Sequence, residues 1–111
     1  MATAYKILGQ VATAATTETT LFTSTSVESI VSSLVICNQA GTSATYRVAV
    51  QPAADTGSGA TDKHYIVYGA TVPASDSVFL TVGLTLAAGD RIRVYASTAT
   101  LSFSAYGSQI S

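Results

Sequence analysis

Apolar residues recur at every second position through most of this 111-residue chain. A period of two fits a β-strand with one buried face and excludes a long amphipathic helix as the main element. In residues 91–96 the apolar set is Ile92, Val94 and Ala96, and in 101–106 it is Leu101, Phe103 and Ala105. Val78, Leu80, Val82, Leu84 and Leu86 alternate with Phe79, Thr81, Gly83 and Thr85. Tyr46, Val48 and Val50 alternate with Thr45, Arg47 and Ala49. A slip of one residue would turn each set to solvent, so the pattern pins strand register.

The remaining segments fit the same class. "AYKILGQ" reads as a short strand, and "TTLFTS" is rich in β-favouring residues. In 27–39, Val27, Ile30, Val31, Leu34 and Val35 also match a helical stripe, but the stretch is β-branched and serine-rich and predicts a central strand. "KHYIVYGATVP" predicts a strand over 63–68, stopped by Gly69 and Pro73, with Tyr65 and Tyr68 on opposite faces. Turn clusters separate the strands at "NQAGTS", "ASDS" and "AAGD", and "AADTGSGATD" is the expected flexible loop tip. "RIRVYAS" and "LSFSAYG" predict a closing hairpin across Thr98, Ala99 and Thr100. The count is about eight short strands at turn spacings of roughly ten residues. The predicted fold is all-β: a single antiparallel β-sandwich, jelly-roll-like, over residues 1–111. Residues 1–20 carry one charge before Glu18, that of Lys6, and few large apolar groups, so they are expected to serve as an N-terminal arm or edge segment reaching a neighbour.

Charge narrows the function classes. Charged residues make up 10% of the chain and the net charge is −1, against about 25% charged in an ordinary soluble domain. There is no basic patch to neutralise phosphates, so nucleic acid is not an expected partner. No apolar run approaches the ~20 residues of a membrane helix, so no membrane partner is expected. A surface so poor in charge is a solubility risk for a free monomer, and contact with other subunits relieves it. Cys37 stands alone in an apolar stretch and reads as a buried thiol. The N-terminus has no signal-peptide pattern, which predicts an uncleaved protein.

The residues of chemistry are sparse. His64 lies two residues from Asp62, with no G-x-S-x-G elbow, and is expected as a solvated or interfacial strand-end side chain. Asp55, Asp62, Asp76 and Asp90 sit in turns, where aspartate is favoured for backbone reasons. Calcium-loop, CxxC, P-loop and G-x-G-x-x-G patterns are missing. The reading is non-enzymatic, with no catalytic residue, cofactor or metal. Tyr95, Tyr106, Arg91 and Arg93 fall on the predicted outward face of the last hairpin. Tyrosine and arginine are the residues that protein interfaces enrich. With Tyr5 and Lys6 of the N-terminal segment they form the candidate protein–protein interface. Packing on a half-buried sheet and stacking on sugar rings are the alternatives for the tyrosines.

The stretches "SSLVICNQAGTSATYRVAV" and "DKHYIVYGATVPASDSVFLTVGLTLAAGDRIRVYASTATLSFSAYGSQI" resemble a group of small tailed-bacteriophage virion structural proteins. The shared pattern is a start like "YKILGQ", a "CN" before a turn, a "KHY" strand, a "GLTLAAGD" turn and an end like "LSF..YG..I", over nearly the whole chain. The resemblance implies a capsid cement or decoration protein, a small β-sandwich or jelly roll that commonly sits on the shell as a trimer. It implies as partners the chain itself and the major capsid protein or other virion proteins. It implies assembly in the host bacterial cytoplasm and residence in the virion. A place at the neck, tail or fibres, with host-surface carbohydrate as ligand, is the alternative. A fibre tip would show a concave aromatic groove, a cement protein flat tyrosine-bearing faces and a mobile terminal arm, and a hydrolase a pocket holding His64 against a carboxylate.

Overall fold

The computed structural model describes residues 3–55 and 57–110. Eight strands run in chain order: β1 (Thr3–Ala12), β2 (Thr19–Thr23), β3 (Glu28–Asn38), β4 (Ala44–Gln51), β5 (Tyr65–Val72), β6 (Ser77–Leu86), β7 (Arg91–Ala96) and β8 (Leu101–Ile110). They form two four-stranded sheets, ordered β1-β8-β3-β6 (sheet I) and β2-β7-β4-β5 (sheet II). Every neighbouring pair is antiparallel. This is the jelly-roll arrangement of two interlocked Greek keys.

The alternating apolar sets meet between the sheets. Sheet I contributes Val31, Leu34, Ile36, Leu101, Phe103 and Ala105, and sheet II contributes Tyr46, Val48, Ile92, Val94 and Ala96. Phe103 and Tyr46 touch edge to face across the core, their ring centroids 6.4 Å apart.

The closing hairpin does not exist. β7 pairs with β2 and β4, whereas β8 pairs with β1 and β3, so the chain crosses from one sheet to the other at residues 97–100. Both strands still point their apolar residues inward, from opposite sides. Their outward residues therefore lie on opposite surfaces of the molecule. The crossing is stapled by Asn38, buried at the end of β3. Its carbonyl oxygen accepts from the Thr100 hydroxyl and the Ala40 amide, and its amide group donates to the carbonyls of Thr42, Val72 and Pro73.

Two further expectations change. β5 runs on through Gly69 to Val72, because Gly69 (φ +80°) is absorbed as a bulge opposite the Tyr46–Arg47 step of β4. A second irregularity at Ile66 shifts the phase of β5 and brings Tyr65 and Tyr68 to one face, with ring centroids 4.9 Å apart. The N-terminal segment lies along its own domain: β1 is an edge strand paired with β8 from Thr3 to Ala12, and Leu8 and Val11 pack against the core.

Candidate functional site

The six residues of the candidate interface divide between the two outer faces. Tyr106 and Tyr5 belong to sheet I, and Lys6 is exposed on β1 beside them. These three share a shallow apolar groove with Ile7, Ile30, Ser32 and Ser108. Tyr5 is 86% exposed, Phe79 further across the sheet is 74%, and Ile7 is 54%. Ser33, Val35 and Cys37 of β3 lie in register with Thr81, Phe79 and Ser77 of β6 and with Tyr106, Ser104 and Ser102 of β8. Neither β6 nor β8 contains a charged residue, and β3 contains only Glu28, at its first position. Across β6 and β8 the face offers hydroxyls and apolar groups, which a neighbour can cover without desolvating a charge.

Tyr95, Arg91 and Arg93 lie on the outer face of sheet II, where the surroundings are different. Arg47 of β4 stands between Tyr68 and Tyr95, its guanidinium carbon 4.2 Å from each ring centroid. Cation–π attraction holds this row flat on the sheet. Tyr68, 64% exposed, ends the row, and Tyr65, Tyr68 and Asp62 line a shallow depression at its edge.

The two arginines of β7 are tied down within the chain. Arg93 pairs with Glu18 at 2.8 Å and donates to the Thr20 hydroxyl at 3.0 Å. Arg91 donates to the Gln51 side-chain oxygen at 2.7 Å and to the Ser58 carbonyl at 3.1 Å. Gln51 is fully buried and donates in turn to the Ser58 carbonyl at 3.1 Å. The Glu18 carboxylate also accepts the Ala60 amide. The segment between β4 and β5, expected as a flexible tip, is thus bound to the outer face of sheet II by three side chains that sequence reading did not connect to it.

His64 is buried, not solvated, at 6% exposure. Its Nδ1 lies 2.9 Å from the Thr61 amide, which can only donate, so Nδ1 accepts and Nε2 carries the proton. Nε2 then donates to Asp55 Oδ2 at 3.0 Å, an oxygen that also meets Lys63 Nζ at 3.2 Å. The hydrogen bond from His64, and after it that from Lys63, hold the Asp55 carboxyl below its usual range. A shallow cavity beside this cluster is lined by Ala54, Ser58 and Thr61 among others. The carboxylate partner is Asp55, nine residues away, and not Asp62. The Thr61 hydroxyl lies 3.3 Å from Nδ1, but the amide already occupies that lone pair. The imidazole is therefore spent on holding two short turns, 53–55 and 62–64, together.

Among the described residues no three metal-ligating side chains cluster, and no helix is long and apolar enough to cross a membrane. The sequence matches no family profile and no curated protein. Among solved structures the chain is similar to the nucleoplasmin-like N-terminal domain of Drosophila FKBP39, with 18% identity and a TM-score of 0.53, over 96% of this chain and 92% of that one. At that identity the likeness shows the fold, a two-sheet β-sandwich, and the fold hosts unrelated functions.

Proposed function

We propose that this chain is a non-enzymatic bacteriophage virion structural protein, of the capsid decoration or cement kind, acting as a homo-oligomer. The observation that carries the reading is the outer face of sheet I. It lacks charge across β6 and β8, and it exposes Tyr5, Ile7 and Phe79. Exposed apolar area gathered on one face marks a contact surface. The resemblance to small phage virion proteins supplies the kind of partner: the major capsid protein or its neighbours in the particle. The saturated lone pair on His64 Nδ1 supports the non-enzymatic part. Reconstruction of the virion with a copy count tests the reading. Copies in proportion to the shell subunits support decoration, and a single ring of copies moves the protein to the neck or tail. A particle without the chain overturns the proposal.

The second reading, a fibre or tail component that binds host-surface carbohydrate, has one observation in its favour. The exposed Tyr68 ring, with Tyr65 at its side and the Asp62 carboxylate beside it, offers a stacking plane and a hydrogen-bond acceptor to a pyranose. Titration with host-surface oligosaccharides, followed by the Tyr65 and Tyr68 ring signals, tests it. Unmoved signals at saturating sugar reject it.

A further inference from the structure

Four strands are free edges: β1 and β6 of sheet I, β2 and β5 of sheet II. Three of them are blunted. β1 carries Lys6 and an irregularity between Ile7 and Gly9. β2 is five residues long. β5 is interrupted at Ile66 and at Gly69. β6 spans ten residues with neither charge nor proline; its pairing with β3 shifts register once, between Val31 and Ser33, and its residues 77–81 run unbroken on one side of that shift. Such an edge presents a row of unpaired backbone donors and acceptors, and another strand is their natural complement.

The side chains of β6 tell the same story. Val78, Leu80, Val82 and Leu84 point into the core yet stay half-buried, whereas Val31, Leu34 and Ile36 on the adjoining β3 are no more than 2% exposed. The opposite side of the sandwich is closed. Leu21 and Phe22 are buried there, and β1 passes so close that a Cβ on Gly9 would strike the Leu21 carbonyl. On the open side Phe79 and, from β5, Ile66 stand in solvent.

We infer that β6 pairs antiparallel with β6 of a second copy of this chain about a two-fold axis. The pairing continues sheet I across the dimer and covers the open side of both cores. The partner is a second copy because an uncharged strand holds nothing to select a charged one, and a two-fold axis makes the strand its own complement. Head-to-tail contact with β1 meets the blunted edge instead. The ten residues of β6 give an edge about 33 Å long, and a seam of one strand on each copy belongs to the small end of the range, below the ~800 Å² per partner of a standard interface. The unit is a dimer, where the resemblance implies a trimer. The inference rests on the homo-oligomer part of the proposed function and not on the place in the virion.

Sedimentation equilibrium on the full chain tests it, with charge placed at exposed positions that leave the core alone. The wild type is expected at twice the 11.3 kDa chain mass. Phe79→Lys and Thr81→Lys are expected at the single mass, still folded and with a melting temperature that no longer depends on protein concentration, and Ile7→Lys on β1 at the double mass. Amide exchange supplies a readout without substitutions: β6 amides gain protection as wild-type concentration rises. A wild-type monomer or trimer, or β6 variants that stay dimeric, overturns the inference. Particle incorporation of the same variants is scored separately. A wild-type dimer that never enters particles counts against the virion reading and leaves the β6 pairing standing.

Discussion

The two outer faces of this sandwich, one built from strands of 10–11 residues and the other from strands of 5–8, have opposite economies. On sheet II the polar groups satisfy one another. Glu18, held by Arg93, and Arg91 and Gln51 bind a thirteen-residue connection, 52–64, to the sheet, and the His64–Asp55 bond closes that connection on itself. Sheet I has no such cover, and its outward residues include hydroxyls, Val35, Tyr106 and the exposed Tyr5, Ile7, Ile30 and Phe79. A face whose charges are matched internally has little left to offer a partner, whereas a bare face with almost no charge has mainly its contact area to offer. The difference predicts that substitutions on sheet II are felt in stability and those on sheet I in association.

Phe103→Ala sets the upper end of the scale. It empties space beneath both faces and is expected to cost about 3–5 kcal/mol by urea denaturation. His64→Ala comes next, at about 2 kcal/mol, since it orphans the Thr61 amide and releases Asp55. A cost within error of zero would dissolve the claim that sheet II is internally locked. Arg93→Ala is expected to cost about 1 kcal/mol in the same assay. Its pair with Glu18 is only about four-fifths buried, at 18% and 21% side-chain exposure, and its Nε is already buried without a partner.

Acid sharpens the comparison further. The Asp55 carboxyl is held below its usual range in the folded protein. Its contribution is therefore complete above the unfolded value near 3.9, and is lost as pH falls through the lower folded value. Asp55→Asn is expected to flatten that part of the stability–pH curve, whereas Tyr106→Ala on sheet I leaves its shape unchanged. The smallest effects come from two tyrosines that sequence reading assigned to one surface. Tyr95→Ala gives up the stack on Arg47 and is expected to cost about 0.5–1 kcal/mol. Tyr5→Ala is expected to stay within about 0.5 kcal/mol and to act on particle binding instead. Equal melting losses for both would remove the distinction between the faces.

Alternation by itself determined the strands, their inward residues and the sandwich class, because side-chain direction in a strand has a period of two whatever the strand pairs with. Ile92, Val94, Leu101 and Phe103 were legible as core for that reason. Alternation is silent on which sheet a strand joins: a hairpin within one sheet and a crossing between two leave the same pattern. Only the tertiary pairing of β7 with β4 and of β8 with β3 decided that Tyr95 and Tyr106 face opposite ways. Bulges escape the sequence for a related reason. One extra residue at Ile66 or Gly69 reverses the phase that a regular strand would keep, which is how Tyr65 came beside Tyr68. Long-range polar pairs are hidden as well. Arg93 finds Glu18 across 75 positions and His64 finds Asp55 across nine, and no spacing rule in a strand or turn connects residues that meet only after the chain has folded over its own sheet.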